Sequence, residues 1–224
     1  MKSRPVAAEV HDRVVASRER FWRPEDFRGA PLTVAKALSR LEKAGELRRI
    51  RRGLYWRGAV TPLGMAPPPT MRLAKELVGV RGVGPGEGSA ALALGLSTHV
   101  PAATTIAVPG RVPDSPFDTV RFVSRSASTK RLDERLRPGE VALLEVLRDW
   151  DRYVDAPEAV AYDRIGRLIE DGTIRLERVV AASVTEPART RSRLRAVLEA
   201  LGFTDAAHRV PPPRFVKYSE SRVA

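Results

Sequence analysis

Over the first sixty residues the apolar positions keep a helical period and then shorten to that of a strand. In 6–18, Val6, Val10 and Val14 recur with polar residues between them, which predicts an amphipathic helix. Placed at 100° per residue, Val34, Ala37, Leu38 and Leu41 cluster on one side of 32–44, predicting a second helix that Gly45 is placed to cap. Between them, Pro24-Glu25-Asp26 suits the first turn of a short helix, with proline at its start and acids at its positive end, and Gly29-Ala30-Pro31 breaks the chain. From residue 47 the period shortens. Leu47-Arg48-Arg49-Ile50 and Leu54-Tyr55-Trp56-Arg57 predict two short strands joined by a turn at Arg51-Arg52-Gly53. Helix, short helix, longer helix and hairpin is the element order of a winged helix-turn-helix.

Further along, 61–69 is rich in proline and glycine and predicts a linker. Helical pattern returns at 70–78, followed by a glycine-dense loop at 79–88 and a helix at 89–96. Strands are predicted at 104–108 and 119–123, and helices at 131–137, 141–153, 157–171 and 188–201, with 174–176 a short strand or extended connector. From 208 onward the chain is polar and proline-rich. The expected fold class is α+β. A winged helix-turn-helix over 1–60 and a linker over 61–69 precede a larger mixed α/β domain with a small sheet and several helices over 70–207, and a polar tail closes the chain at 208–224.

Charge sharpens this division. The net charge is +12, and residues 1–60 hold 15 Lys and Arg against 7 Asp and Glu, leaving 24 against 20 for the remaining residues. A basic module joined to a near-balanced one points to a polyanionic partner for the first. The absence of cysteine excludes disulfides and thiolate metal sites and fits a reducing compartment. The three histidines, His11, His99 and His208, are too scattered for a metal centre. No apolar run approaches the roughly 20 residues of a membrane span, and no secretory leader is visible, so a cytoplasmic protein without membrane contact is expected.

The predicted helix at 32–44 carries a second stripe, largely opposite the apolar one, formed by Thr33, Lys36, Arg40 and Lys43 with Ser39 beside them. A helix with one face for its own core and a cationic face outward suits the major groove of duplex DNA. Alone, such a stripe is equally the description of a solvated face. The hairpin adds weight: from Lys43 to Arg57 there are six basic residues and one acid, with Arg48 and Arg49 on the first strand and Arg51 and Arg52 at the tip, where a wing meets phosphates or the minor groove. Tyr55 and Trp56 are expected to pack against the helices, with stacking on bases the alternative; Phe21, Trp22 and Phe27 are expected in the core.

Two segments carry a family resemblance. The first comprises Pro24-Glu25-Asp26-Phe27, Val34-Ala35-Lys36-Ala37-Leu38-Ser39-Arg40-Leu41 and Gly45-Glu46-Leu47-Arg48-Arg49-Ile50-Arg51-Arg52-Gly53-Leu54-Tyr55. The second is Gly86-Glu87-Gly88-Ser89-Ala90-Ala91-Leu92-Ala93-Leu94-Gly95-Leu96-Ser97-Thr98-His99-Val100-Pro101-Ala102. Together they resemble the AbiEi-type antitoxins of type IV toxin–antitoxin systems, over about residues 20–125. His99 stands where a glutamine is expected and Leu92 where a polar residue is common. The resemblance implies a winged helix that binds operator inverted repeats and represses its own operon, and a second domain that counters a nucleotidyltransferase toxin; because one short module reads few bases, two copies per inverted repeat are expected. The alternative is a stand-alone winged-helix transcription factor whose second domain senses a ligand or dimerises.

Catalytic chemistry finds little footing. The loop Gly82-Val83-Gly84-Pro85-Gly86-Glu87-Gly88 lacks the Gly-Lys-Ser/Thr ending of a phosphate loop. Gly95-Leu96-Ser97-Thr98-His99 begins like a nucleophile elbow but lacks its second glycine. No enzyme activity, cofactor or metal is expected. In 188–201, Arg191 and Arg195 lie four apart, with Leu194, Val197, Leu198 and Leu201 available for burial, and are candidate contacts for an acidic partner surface or for DNA.

Overall fold

The computed structural model describes residues 5–62, 64–79 and 81–212. The chain is mixed α+β and separates into two compact units, Met1–Leu73 and Ala74–Ala224.

The first unit runs α1 (Val6–Val15), β1 (Arg20–Trp22), a single 3₁₀ turn (Pro24–Asp26), α2 (Pro31–Lys43), β2 (Arg48–Arg51), β3 (Leu54–Arg57), β4 (Val60–Thr61) and β5 (Gly64–Met65). The 3.6-residue pattern dictates the packing of α1 on α2. Val10 and Val14 meet Val34, Ala37, Leu38 and Leu41, and Trp22, Phe27, Leu47 and Tyr55 close the core. Pro31 opens α2, where its missing N–H costs nothing. Gly45, at φ 75°, ends it. The Gly45 and Glu46 amides donate back to the carbonyls of Glu42 and Leu41 at 3.0 and 2.9 Å, the double closure of a Schellman turn.

β1, β3 and β2 form an antiparallel sheet in that order, with Phe21 opposite Trp56 and Arg49 opposite Tyr55. β1 was not predicted: three residues carry no period of their own, and the strand exists through its pairing with β3. The segment expected as a linker is part of this unit. β4 and β5 pair as a hairpin, and Trp56 Nε1–H donates to the Ala66 carbonyl at 2.8 Å. The Arg72 guanidinium stacks over the Trp56 ring and donates to the Glu19 carbonyl. The boundary therefore falls inside α3 (Thr70–Val78), later than expected.

The second unit contains β6 (Gly84–Pro85), α4 (Glu87–Leu94), β7 (Thr104–Val108), β8 (Val120–Ser124), α5 (Lys130–Asp133), α6 (Pro138–Arg148), α7 (Trp150–Tyr153), α8 (Glu158–Glu170), α9 (Leu176–Ser183), α10 (Ala188–Ala200) and α11 (Thr204–Arg209). Its sheet has the order β6-β7-β8, antiparallel then parallel. α6 is the central element: every residue from Glu140 to Leu147 is buried, and the helix packs against α4, α10 and β6. The polar tail was expected to start at 208, but the first of those residues are part of the fold. His208 and Arg209 belong to α11, and Val210 is fully buried in the main core. Residues 213–224 of that expectation lie outside the described residues.

Candidate nucleic-acid interface

On α2 the two predicted stripes separate as their spacing requires. Val34, Ala37, Leu38 and Leu41 are buried, while Thr33, Lys36, Arg40 and Lys43 are exposed and Ser39 is half-buried. Among the described residues, Lys36, Arg40 and Lys43 have no ion pair with an acid. Three acids of this unit are engaged elsewhere: Glu9 faces Arg13, Asp26 accepts from the Arg23 amide, and Glu46 holds Arg57 at 2.8 Å. One further side chain shares the cationic face. Leu32, in the first turn of α2, is 68% exposed.

The hairpin follows the Schellman turn directly. β2 is an edge strand whose register with β3 shifts between Arg49 and Arg51. Across that irregularity Ile50 is buried while Arg48, Arg49 and Arg51 are all exposed, and Arg52 is exposed at the tip. Tyr55 and Trp56, 6% and 1% exposed, have no ring face available for stacking on bases. Trp56 packs on Phe21 at 4.7 Å between centroids, and Trp22 stacks on Phe27 at 4.9 Å. The aromatic residues thus build the support, and the arginines project from it.

Arg191 and Arg195 also have partners within the chain. Both are half-buried on α10, and their guanidiniums serve the chain's own backbone. Arg191 donates to the carbonyls of Glu186, Pro211 and Pro212, and Arg195 to that of Val210. They hold the segment after α11 in place. The carbonyls of an irregular segment are strong acceptors, and these guanidiniums satisfy several of them.

The motifs set aside as chemistry have structural roles. The Ser97 hydroxyl donates to Asp155 Oδ2 at 2.8 Å, and the Thr98 amide donates to the same oxygen at 3.2 Å. In return, the Asp155 and Ala156 amides donate to the Leu96 carbonyl. The Ser97 hydrogen bond comes first among the causes that hold the Asp155 carboxyl below its usual range. It is the His99 amide, and not its imidazole, that reaches Ser97 Oγ. In the glycine-dense loop, a Cβ on Gly84 would sit 2.6 Å from the Pro138 carbonyl oxygen and 2.7 Å from Val141, so glycine is demanded by the close approach of β6 to α6.

A buried ionic cluster, invisible in the sequence pattern, lies beneath α6. Arg131, fully buried, donates through Nε and Nη2 to Glu186 at 2.6 and 2.8 Å and through Nη1 to Glu145 at 2.6 Å. Arg125 grips Glu145 bidentately at 2.8 Å. Burial alone would raise the Glu145 carboxyl, but the Arg125 hydrogen bonds and the Arg131 charge outweigh it and hold the group below its ordinary range. Glu140 behaves likewise: burial opposes its charge, and Arg175, with the Arg137 and Arg175 amides, overcomes that. These cations and anions neutralise one another. Among the described residues, no group of three or more His, Asp or Glu is arranged to hold a metal ion, and no helix is long and apolar enough to cross a membrane.

No family model matches the chain, and no curated protein matches it. In fold it is similar to the RV2827C protein from Mycobacterium tuberculosis, at 18% sequence identity over 95% of this chain and 80% of that one, with a TM-score of 0.50. At that identity the likeness concerns architecture alone.

Proposed function

We propose that the first unit is a winged helix-turn-helix that binds duplex DNA, and that the chain is the antitoxin and autoregulatory repressor of a toxin–antitoxin pair. The observation that carries the DNA-binding reading is the outward, unneutralised set Lys36, Arg40 and Lys43 on α2, continued by exposed arginines on the adjoining hairpin. α2 enters the major groove, where Lys36 and Arg40 reach base edges, and Arg49, Arg51 and Arg52 contact phosphates. One such module offers few base contacts, so two copies bind an operator inverted repeat. The antitoxin half rests on the AbiEi resemblance, and the partner it calls for is a nucleotidyltransferase toxin met in the cytoplasm.

Electrophoretic or fluorescence titration of the full chain against DNA from upstream of its own reading frame tests the first half. An Arg40→Ala/Arg49→Ala/Arg52→Ala variant with undiminished affinity overturns it. Co-expression with an adjacent nucleotidyltransferase reading frame tests the second half through rescue of growth. Operator binding without rescue points instead to a lone transcription factor whose second unit senses a ligand or dimerises.

A further inference from the structure

The outward face of α2 carries one large apolar side chain. Single exposed leucines are ordinary on protein surfaces, but the position of Leu32 is not neutral. At 100° per residue it lies in line with Lys36, Ser39 and Lys43 and on the opposite side from Val34 and Leu41. It occupies the first turn, the part of a recognition helix that meets base edges. Around it Ala30, Pro31 and Thr33 are compact and exposed, and the first turn contains no acid. A second copy of the same face would bring Lys36, Arg40 and Lys43 against their own kind, so the charge selects a polyanion as the occupant. Within a major groove lined by donors and acceptors, the apolar feature on offer is the 5-methyl group of thymine.

Resting on the DNA-binding reading above, we propose that Leu32 is a specificity-determining residue that packs against a thymine 5-methyl group in each half-site. The lysines and arginines around it supply affinity and orientation. Leu32 supplies a preference for T·A at one position per half-site, which hydrogen bonding from Lys36 and Arg40 alone does not give.

The test uses the full chain and duplexes selected from a random library. Each thymine of the selected duplex is replaced in turn by deoxyuridine, which keeps the base pair and removes the methyl. For the wild type, replacement at one position per half-site weakens binding by about fourfold per methyl, the worth of one buried methyl group. Leu32→Ala, at an exposed helical site where alanine is well tolerated, binds the thymine duplex more weakly and is indifferent to the replacement. Wild-type binding that ignores every deoxyuridine, or a Leu32→Ala variant that keeps the wild-type sensitivity, overturns the assignment while leaving DNA binding intact. A change in sedimentation of Leu32→Ala together with unchanged deoxyuridine sensitivity overturns it in favour of a contact between copies. Failure to enrich any duplex overturns the DNA-binding reading itself, and this inference with it.

Discussion

The two units differ in how many of their exposed and buried cations an acid holds. In the second unit Arg125, Arg131, Arg175, Arg178, Arg189, Arg193 and Arg209 each meet a carboxylate. In the first, Lys36, Arg40, Lys43, Arg49 and Arg52 are exposed with no acid paired to them among the described residues. Net charge alone does not separate these cases; what separates them is where the acids stand. A guanidinium held by a neighbouring carboxylate is a structural cross-link. One turned to solvent without a counterion is available to bind another molecule.

The contrast can be broken at several points. The largest effect belongs to the buried cluster. Arg131→Ala leaves Glu186 and one side of Glu145 buried without their cation and lowers stability by about 3–5 kcal/mol in urea unfolding of the whole chain. Acid attacks the same cluster. Because the folded pKa values of Glu140 and Glu145 are depressed, their stabilisation is fully present above the unfolded carboxylate range, about 4.3, and is lost as pH falls through the lower folded values. Thermal melts should therefore hold steady above about pH 5 and decline progressively below pH 4.

On the other side of the comparison, Lys36→Ala or Arg40→Ala should leave the melting temperature nearly unchanged. Each should cost about 1–3 kcal/mol of binding to a selected duplex, with altered sequence preference, where a base contact is lost. Arg49→Ala and Arg52→Ala should weaken binding to all duplexes alike and flatten the salt dependence of log K by about 0.9 for each phosphate contact removed. Smallest of all, Arg167→Ala removes an exposed i,i+4 pair with Asp163 on α8 and should change stability by at most about 0.5 kcal/mol, within the scatter of denaturant titrations.

What the sequence revealed follows the reach of each interaction. α2 was legible because its burial pattern, its initiating proline and its terminal Gly45 are all local, and the cations of the candidate interface were legible because they lie opposite that pattern. β1 was not, since its partner β3 is more than thirty residues away. α9 was not predicted: it follows the segment 174–176 expected as a short strand or connector, and the β-branched pair Val179-Val180 weakens the helical signal; burial of Val179, Val180 and Ala182 in the core holds it helical. The hydrogen bonds of Arg191 and Arg195 were not legible, because their acceptors are backbone carbonyls of Glu186 and of residues 210–212, which carry no charge signature. Leu32 gives a weaker signal: a single apolar residue on the cationic side of the wheel belongs to neither stripe.

The tight closure at Gly45 has a geometric consequence. The two amides that seal the end of α2, and the Glu46 carboxylate that grips Arg57 on β3, bolt the rod to the ribbon like the jaws of a caliper locked at one opening. A locked caliper accepts one width. On the DNA-binding reading proposed above, the deep, narrow major groove of an A-form helix would not admit the rod while the ribbon rested on its rim, so double-stranded RNA of the same sequence should be held only as loosely as any other polyanion.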